Sequence, residues 1–184
     1  ITAFIESTKA LATSKNMMLA LNEIMKNIKE VIGVDRSSLF IHDDVVEALT
    51  TYITDCKDVP QTITLKNGIA AYSVNKKESI IVNDAYHDPR FNKFIDLKTG
   101  YKTKSILSVP IVSSEGGILG VIELINKKSG GFTQDDLLLL NSLTSLVAIT
   151  LEKKKLKEIA EKGITEVEIS KWIGNFERNS YHTP

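Results

Sequence analysis

The sequence predicts an α+β fold: a central antiparallel β-sheet with N- and C-terminal helices packed on one face and a ligand pocket under a loop and short helices on the other. Three observations carry this prediction. Apolar residues recur every three or four positions near both ends of the chain, the period of an amphipathic helix, whereas the middle is rich in short β-branched runs. The strongest of those runs are joined by tight hairpin turns, which allow only antiparallel pairing. The polar stretch Asn83 to Lys104 interrupts them, and so long a loop inside a compact domain is usually functional or disordered.

The elements follow in order. Met17, Met18, Leu21, Ile24, Met25, Ile28 and Val31 share one helical face, and Gly33 supplies a stop that tolerates positive φ. Ile1 to Leu11 reads as an earlier stretch of the same helix. Ser37 to Ile41 and Val45 to Ile53 form a hairpin about His42–Asp43–Asp44, and Ile63 to Leu65 is a short third strand. Asn67–Gly68 opens a short helix, Ile69 to Val74, and Ser79 to Val82 is again a strand. Beyond the polar stretch, Ser105 to Val112 and Ile118 to Asn126 are strong β runs joined by Ser113–Ser114–Glu115–Gly116–Gly117. Thr133 with Asp136 three residues on is a capping-box variant that starts the last helix. Leu139, Leu143, Leu146, Ile149, Leu156 and Ile159 then give a heptad-like stripe to Lys162, the pattern of a two-stranded coiled coil. Gly163 is expected to end it, leaving Ile164 to Pro184 as linker.

Composition narrows the function. The 184 residues carry 23 basic and 23 acidic side chains, a balance that gives no global electrostatic case for nucleic acid. One cysteine, Cys56, excludes an intrachain disulfide and a cysteine-rich metal framework, and suits a cytoplasmic setting. No apolar run reaches the ~20 residues that cross a bilayer, so no membrane partner is expected in this segment. The chain begins at Ile1 without an initiator methionine and is read as a piece of a larger protein. The three histidines lack a Glu or Cys at metal-ligand spacing, and neither a Ser–His–Asp order nor a Gly-rich phosphate loop is present, so neither catalytic residues nor a metal is expected.

Two known fold families fit the element order, PAS and GAF. The segment Asp84-Ala85-Tyr86-His87-Asp88-Pro89-Arg90-Phe91, then Asp96 with Thr99-Gly100-Tyr101-Lys102-Thr103, resembles the GAF domains of cyclic nucleotide phosphodiesterases and bacterial adenylate cyclases. The likeness continues through Ile106 to Ile111 and Gly120 to Lys127. A scattered signature of Asn-Lys, Phe and Asp-Glu is matched by Asn126–Lys127, Phe132 and Asp136, with Leu137 where Glu is usual. The resemblance covers about Met17 to Leu151. It implies a GAF domain over residues 16–152, preceded by a helical linker at 1–15 and followed at 153–184 by a signalling helix and linker to an output domain.

It also implies a regulatory domain rather than an enzyme: a sensor of a cyclic nucleotide that signals through a homodimer of terminal helices to a cyclase or phosphodiesterase. The ligand is cAMP or cGMP, and no cofactor is expected. In the resemblance the residues matching Ile69 and Ala70 hold the phosphate, which suits the free N–H groups of a helix start. Asp96, Thr99 and Thr103 recur at spacings of three and four, which a helical turn would bring to one face, and the family closes such residues over its ligand. Asn92 falls where some relatives place a tyrosine. Glu123 shares its strand face with Val121 and Ile125, so a carboxylate points where apolar neighbours point. Ser38 and Tyr52 match a serine and an aromatic that meet the purine, although a core or cross-strand tyrosine fits Tyr52 nearly as well. Lys127 and Asp136 are expected as a structural salt bridge. Ile53 follows Tyr52 where a cGMP-selective pocket often has a carboxylate, so cAMP is favoured. Two alternatives stay open: a ligand-free GAF dimerisation module, and a GAF sensor of a different small molecule.

Overall fold

The computed structural model describes residues 17–57 and 60–180. The expected linker helix at 1–15 lies outside those residues. Two units are distinguished, residues 1–150 and 151–184.

In the first unit, helix α1 (Met17–Ile32) runs into strand β1 (Val34–Asp43) through Gly33, whose φ of 72° no β-branched residue would adopt without strain. Strands β2 (Ala48–Thr54) and β3 (Thr62–Thr64), helix α2 (Ile69–Lys76) and strand β4 (Ile80–Val82) follow. The polar stretch folds into a 3-10 turn at Ala85–His87 and helix α3 (Phe94–Thr99). Strands β5 (Ile106–Val112) and β6 (Ile118–Lys127) lead to α4 (Gln134–Ser180). All pairings are antiparallel, in the order β3-β2-β1-β6-β5-β4.

The period of two divides the sheet into two faces. Leu39, Leu107, Ile111, Ile122 and Leu124 lie on the face covered by α1 and the beginning of α4, and all are fully buried. α1 contributes Leu21, Ile24, Met25 and Ile28 to this core, and α4 contributes Leu140, Leu143 and Val147. On the other face, α2 packs on β5 and β6, and Phe40, Leu49, Ala70, Val74 and Val121 form one cluster. Ile69, Ile80, Val82, Ala85 and Ile106 form a second. At the sheet centre β1 and β6 approach so closely that a Cβ on Gly120 would lie 2.1 Å from the Phe40 carbonyl oxygen.

Within the domain α4 buries Leu140, Leu143 and Val147, whereas of the heptad-like stripe Leu139 and Leu146 are half-buried and Ile149, Leu156 and Ile159 are exposed. Two expectations change. Gly163 does not end the helix, which continues to Ser180: a single glycine costs only about 1 kcal/mol in a helix and nothing forbids the conformation. Thr103 lies beyond α3, which stops at Gly100 in the left-handed conformation, so Asp96, Thr99 and Thr103 do not share a helical face.

Candidate ligand pocket

Between the second sheet face, α2 and α3 lies a cavity of about 110 Å³. A single water needs only ~10–15 Å³ in this measure, so the space is a pocket and not a packing defect. Phe40, Ile63, Ile69, Ile95, Ile106 and Ile125 make its apolar wall, with Phe91 at the α3 side. The polar lining comes from Arg36, Ser38, Asn67, Asn92, Asp96, Tyr101, Thr103 and Glu123.

The sheet supplies the floor. Ser38 pairs with Glu123 across β1 and β6, and Glu123 pairs with Ser108 across β6 and β5, which aligns three polar side chains in one row. The Ser38 hydroxyl is 2.8 Å from that of Thr54. Burial pushes the Glu123 carboxyl up to about 7, partly opposed by the backbone N–H of Ala70, which donates to it from the first turn of α2. Gly68 caps that helix without any side-chain hydrogen bond, which leaves its first amides without a side-chain partner, and Gly68, Ile69 and Ala70 all line the cavity.

The polar stretch forms the other wall, and Asp96 organises it. Its Oδ2 accepts the Thr103 N–H at 2.6 Å and the Tyr86 hydroxyl at 3.0 Å, while Oδ1 accepts the Thr103 hydroxyl at 2.8 Å. Burial, together with this bond to Asp96, raises the Tyr86 hydroxyl above its ordinary range. Asn126, held at φ 57°, secures the end of the stretch: its Oδ1 accepts the N–H of Lys104 at 2.6 Å, and its Nδ2 donates to the Lys102 carbonyl and the Tyr101 hydroxyl. Asn83 secures the beginning, accepting the Phe132 N–H at 2.7 Å and donating to the Phe132 carbonyl at 3.0 Å.

Arg36 lies over the Tyr101 ring, 3.4 Å from its centroid, and donates to Cys56 Sγ at 2.9 Å. The Tyr101 hydroxyl donates to Asp35 at 3.0 Å, and burial and that carboxylate raise it. Lys127 Nζ is 2.5 Å from Asp136 Oδ1, outside the cavity lining. Burial opposes ionisation of Asp136, but Lys127 and Thr133 outweigh it and hold that carboxyl below its ordinary range.

Of the residues expected at the ligand, Ser38, Ile69, Ala70, Asn92, Asp96, Thr103 and Glu123 line the cavity. Tyr52 and Thr99 do not. A bulge opposite Leu39 and Phe40 makes Tyr52 the extra residue of β2, which takes it out of register with the pocket face. Thr99 spends its hydroxyl on the end of α3, donating to the Ile95 carbonyl at 2.8 Å. The lining residues that went unrecognised as pocket residues include Arg36, Phe40, Cys56, Phe91 and Tyr101. Strand alternation from Ser38 would have found Arg36 and Phe40; Phe91 and Tyr101 reach the cavity through tertiary folding of the polar stretch.

The GAF domain family model matches residues 17–151. The chain belongs to the GAF family. Its relatives include the cGMP-specific 3',5'-cyclic phosphodiesterase of Drosophila virilis, 32% identical over 85% of this chain, and the dual 3',5'-cyclic-AMP and -GMP phosphodiesterase 11A of Takifugu rubripes, 33% identical over 72%. This GAF chain spans only 20% and 16% of those proteins. Among solved structures, the GAF domain of a Coxiella burnetii phosphoenolpyruvate-protein phosphotransferase superposes with a TM-score of 0.76 at 19% identity, covering 86% of this chain and 95% of that one. The free methionine-R-sulfoxide reductase of Neisseria meningitidis superposes at 0.73 and 17% identity, over 84% and 89% of the two chains, so the GAF fold is shared between regulatory domains and enzymes. Among the described residues, no helix is long and apolar enough to cross a membrane.

Proposed function

We propose that this GAF domain is a regulatory sensor of a cyclic nucleotide, with cAMP favoured over cGMP, in a cytoplasmic signalling protein. The observation that carries the reading is the joint lining of one cavity by Ser38, Ala70, Asp96, Thr103 and Glu123. Apolar and aromatic side chains offer a face to a purine, hydroxyls suit its edge or the ribose, and the start of α2 suits one phosphate charge. The phosphodiesterase relatives, whose names carry cGMP or both cyclic nucleotides, support the ligand class.

The preference for cAMP rests on the carboxylates. Asp55 accepts the Ser37 N–H and pairs with Lys29, and the oxygens of Asp96 are taken by Thr103 and Tyr86. A guanine edge, with its two donors, would therefore find these two carboxylates already engaged, and Glu123 lies at the phosphate end beside Ala70. Arg36 favours the second reading, cGMP, since a guanidinium donates well to guanine O6 and N7.

Signal transfer runs through a homodimer of terminal helices to an output domain such as an adenylate or guanylate cyclase or a phosphodiesterase. Leu138, Ile149, Leu156 and Ile159 are all about half exposed or more on α4, and Leu19 and Val31 on α1, which supports a helical partner surface. Ligand biases output only by binding the two dimer states with different affinity.

Calorimetric titration with cAMP and with cGMP, beside Thr103→Ala, tests this reading. One nucleotide binds at micromolar affinity or tighter, and the variant loses it. Absence of heat with both nucleotides, from protein that mass spectrometry finds free of bound nucleotide, would leave a dimerisation module or a sensor of another molecule.

A further inference from the structure

Glu123 presents an unusual conflict. Glu123 and Ala70, at the start of α2, line the same cavity, so on the cyclic-nucleotide reading the carboxylate and the ligand's phosphate would compete for one donor, the Ala70 N–H. Two like charges cannot share one amide in a half-buried pocket without a large repulsion. Beside Glu123, across the β5–β6 pair, the Ser108 hydroxyl is fully buried and has no hydrogen-bond partner among the described residues. A buried hydroxyl left unpaired costs stability, so it marks a place where a second arrangement would satisfy it.

We propose that Glu123 is a resident anion of the pocket: it holds the Ala70 amide until an anionic ligand arrives, and the ligand's phosphate then displaces it toward the Ser108 hydroxyl. The inference rests on the cyclic-nucleotide reading. It makes Glu123 a determinant of ligand charge, because a neutral nucleoside has nothing to exchange for the amide contact.

The remaining ionisable groups of the lining do not relieve the conflict. Arg36, from β1, is engaged by Tyr101 and Cys56; Asp96, from α3, is held by Thr103 and Tyr86; Cys56 follows β2, and the Tyr101 hydroxyl is turned to Asp35 and Asn126. α2 brings no ionisable side chain to the cavity, and β5 brings only Ile106 to the lining and Ser108 to the neighbouring position. Displacement is therefore eased by protonating Glu123, whose carboxyl titrates at about 7, and ligand binding takes up a proton. A cyclic phosphodiester stays anionic throughout the neutral range, so the coupling belongs to the protein.

The test is calorimetry with cAMP and cGMP from about pH 6 to about pH 8.5 on the wild type, Glu123→Gln and Ser108→Ala, with the Ala70 amide followed by NMR in the ligand-free wild type. Wild-type affinity falls above about pH 7, by at most about tenfold per pH unit, while Glu123→Gln binds with flat pH dependence and about tenfold more tightly at the alkaline end. Ser108→Ala weakens alkaline binding several-fold, and the Ala70 amide shift titrates near neutrality. If wild type and Glu123→Gln bind with the same pH-independent affinity, or Glu123→Gln binds more weakly, the displacement is overturned and the cyclic-nucleotide reading stands. If neither binds cAMP or cGMP even at the acid end, that reading falls and takes the displacement with it.

Discussion

Asp96 accepts both the backbone N–H and the hydroxyl of Thr103, seven residues further on, at 2.6 and 2.8 Å. Both residues are buried, so the pair bridges the end of α3 and the strand entry as one hydrogen-bonded unit. A carboxylate that accepts these donors and the Tyr86 hydroxyl together satisfies three groups that would otherwise be stranded.

Replacing Asp96 by Ala therefore leaves a buried amide and two hydroxyls without their acceptor. We expect Asp96→Ala to lower unfolding free energy by about 3 kcal/mol in urea melts, and Asp96→Asn by less, since one oxygen remains. Equal stability of Asp96→Ala and the wild type would mean that the stretch from residue 83 to residue 104 is held by other contacts.

Asn126 separates backbone from side chain. Its positive φ favours Gly, whereas its carboxamide is needed by Lys102, Lys104 and Tyr101. Asn126→Gly should lose the amide contacts alone, and Asn126→Ala should lose them and add about 1 kcal/mol of backbone strain. Thermal melts that rank Ala above Gly would contradict this.

The two glycines with opposite surroundings give opposite signs. Gly120→Ala drives a methyl into the Phe40 carbonyl, which only separation of β1 from β6 relieves, and a loss of about 3 kcal/mol or failure to fold is expected. Gly163→Ala meets nothing within 4 Å and lies inside α4, so it should raise helix content by circular dichroism and add up to about 1 kcal/mol. A fall in helix content there would restore Gly163 as the end of the helix.

Stability should also depend on pH through Glu123. Its folded carboxyl titrates at about 7 against an ordinary 4.5, so the folded state binds the extra proton and stability falls as pH rises between those values. The fall is at most about 3 kcal/mol, and Glu123→Gln removes it. Asp136 has the opposite sign: held low by Lys127 and Thr133 against its burial, it stabilises above its unfolded range and loses that contribution as pH drops through its folded value. Urea midpoints at pH steps on Glu123→Gln and Asp136→Asn separate the two slopes.

The strands and their hairpins were legible because alternation and turn residues act locally, whereas the pairing of β1 with β6 at the sheet centre joins residues far apart in the chain and has no local signal. Val121, Glu123 and Ile125 share a face for no reason beyond the pleat, and Thr133 with Asp136 caps α4 by short-range hydrogen bonds. Tyr52 is the bulged residue of β2 and lies outside the cavity lining, and periodicity cannot detect a bulge, which reverses every side chain beyond it. On α4, Leu137 to Leu140 are four leucines in a row, and tertiary contact selects Leu140 for burial in the domain. Of the site, the residues on regular elements and those matching the family's motif could be anticipated. Tyr101 and Phe91 stand in that motif but carried no pocket role there, because their approach to the cavity depends on Asn126, Asp96 and Tyr86 folding a segment that has no period of its own.

Asn83 fastens one end of that segment to Phe132, in the turn between β6 and α4, Asn126 near the end of β6 holds the other end, and the Ala85 N–H closes onto the Lys104 carbonyl at 2.9 Å. The segment is thus a hoop with a clasp, and its circumference is independent of its fastening. Residues added near Asp88 or Asn92 enlarge the hoop without opening the clasp, at an entropic cost of only about 0.6 kcal/mol for each doubling of length. Pocket wall and sheet can therefore diverge at different speeds among proteins built this way, with ligand choice rewritten in the hoop while the root of the last helix stays where it is.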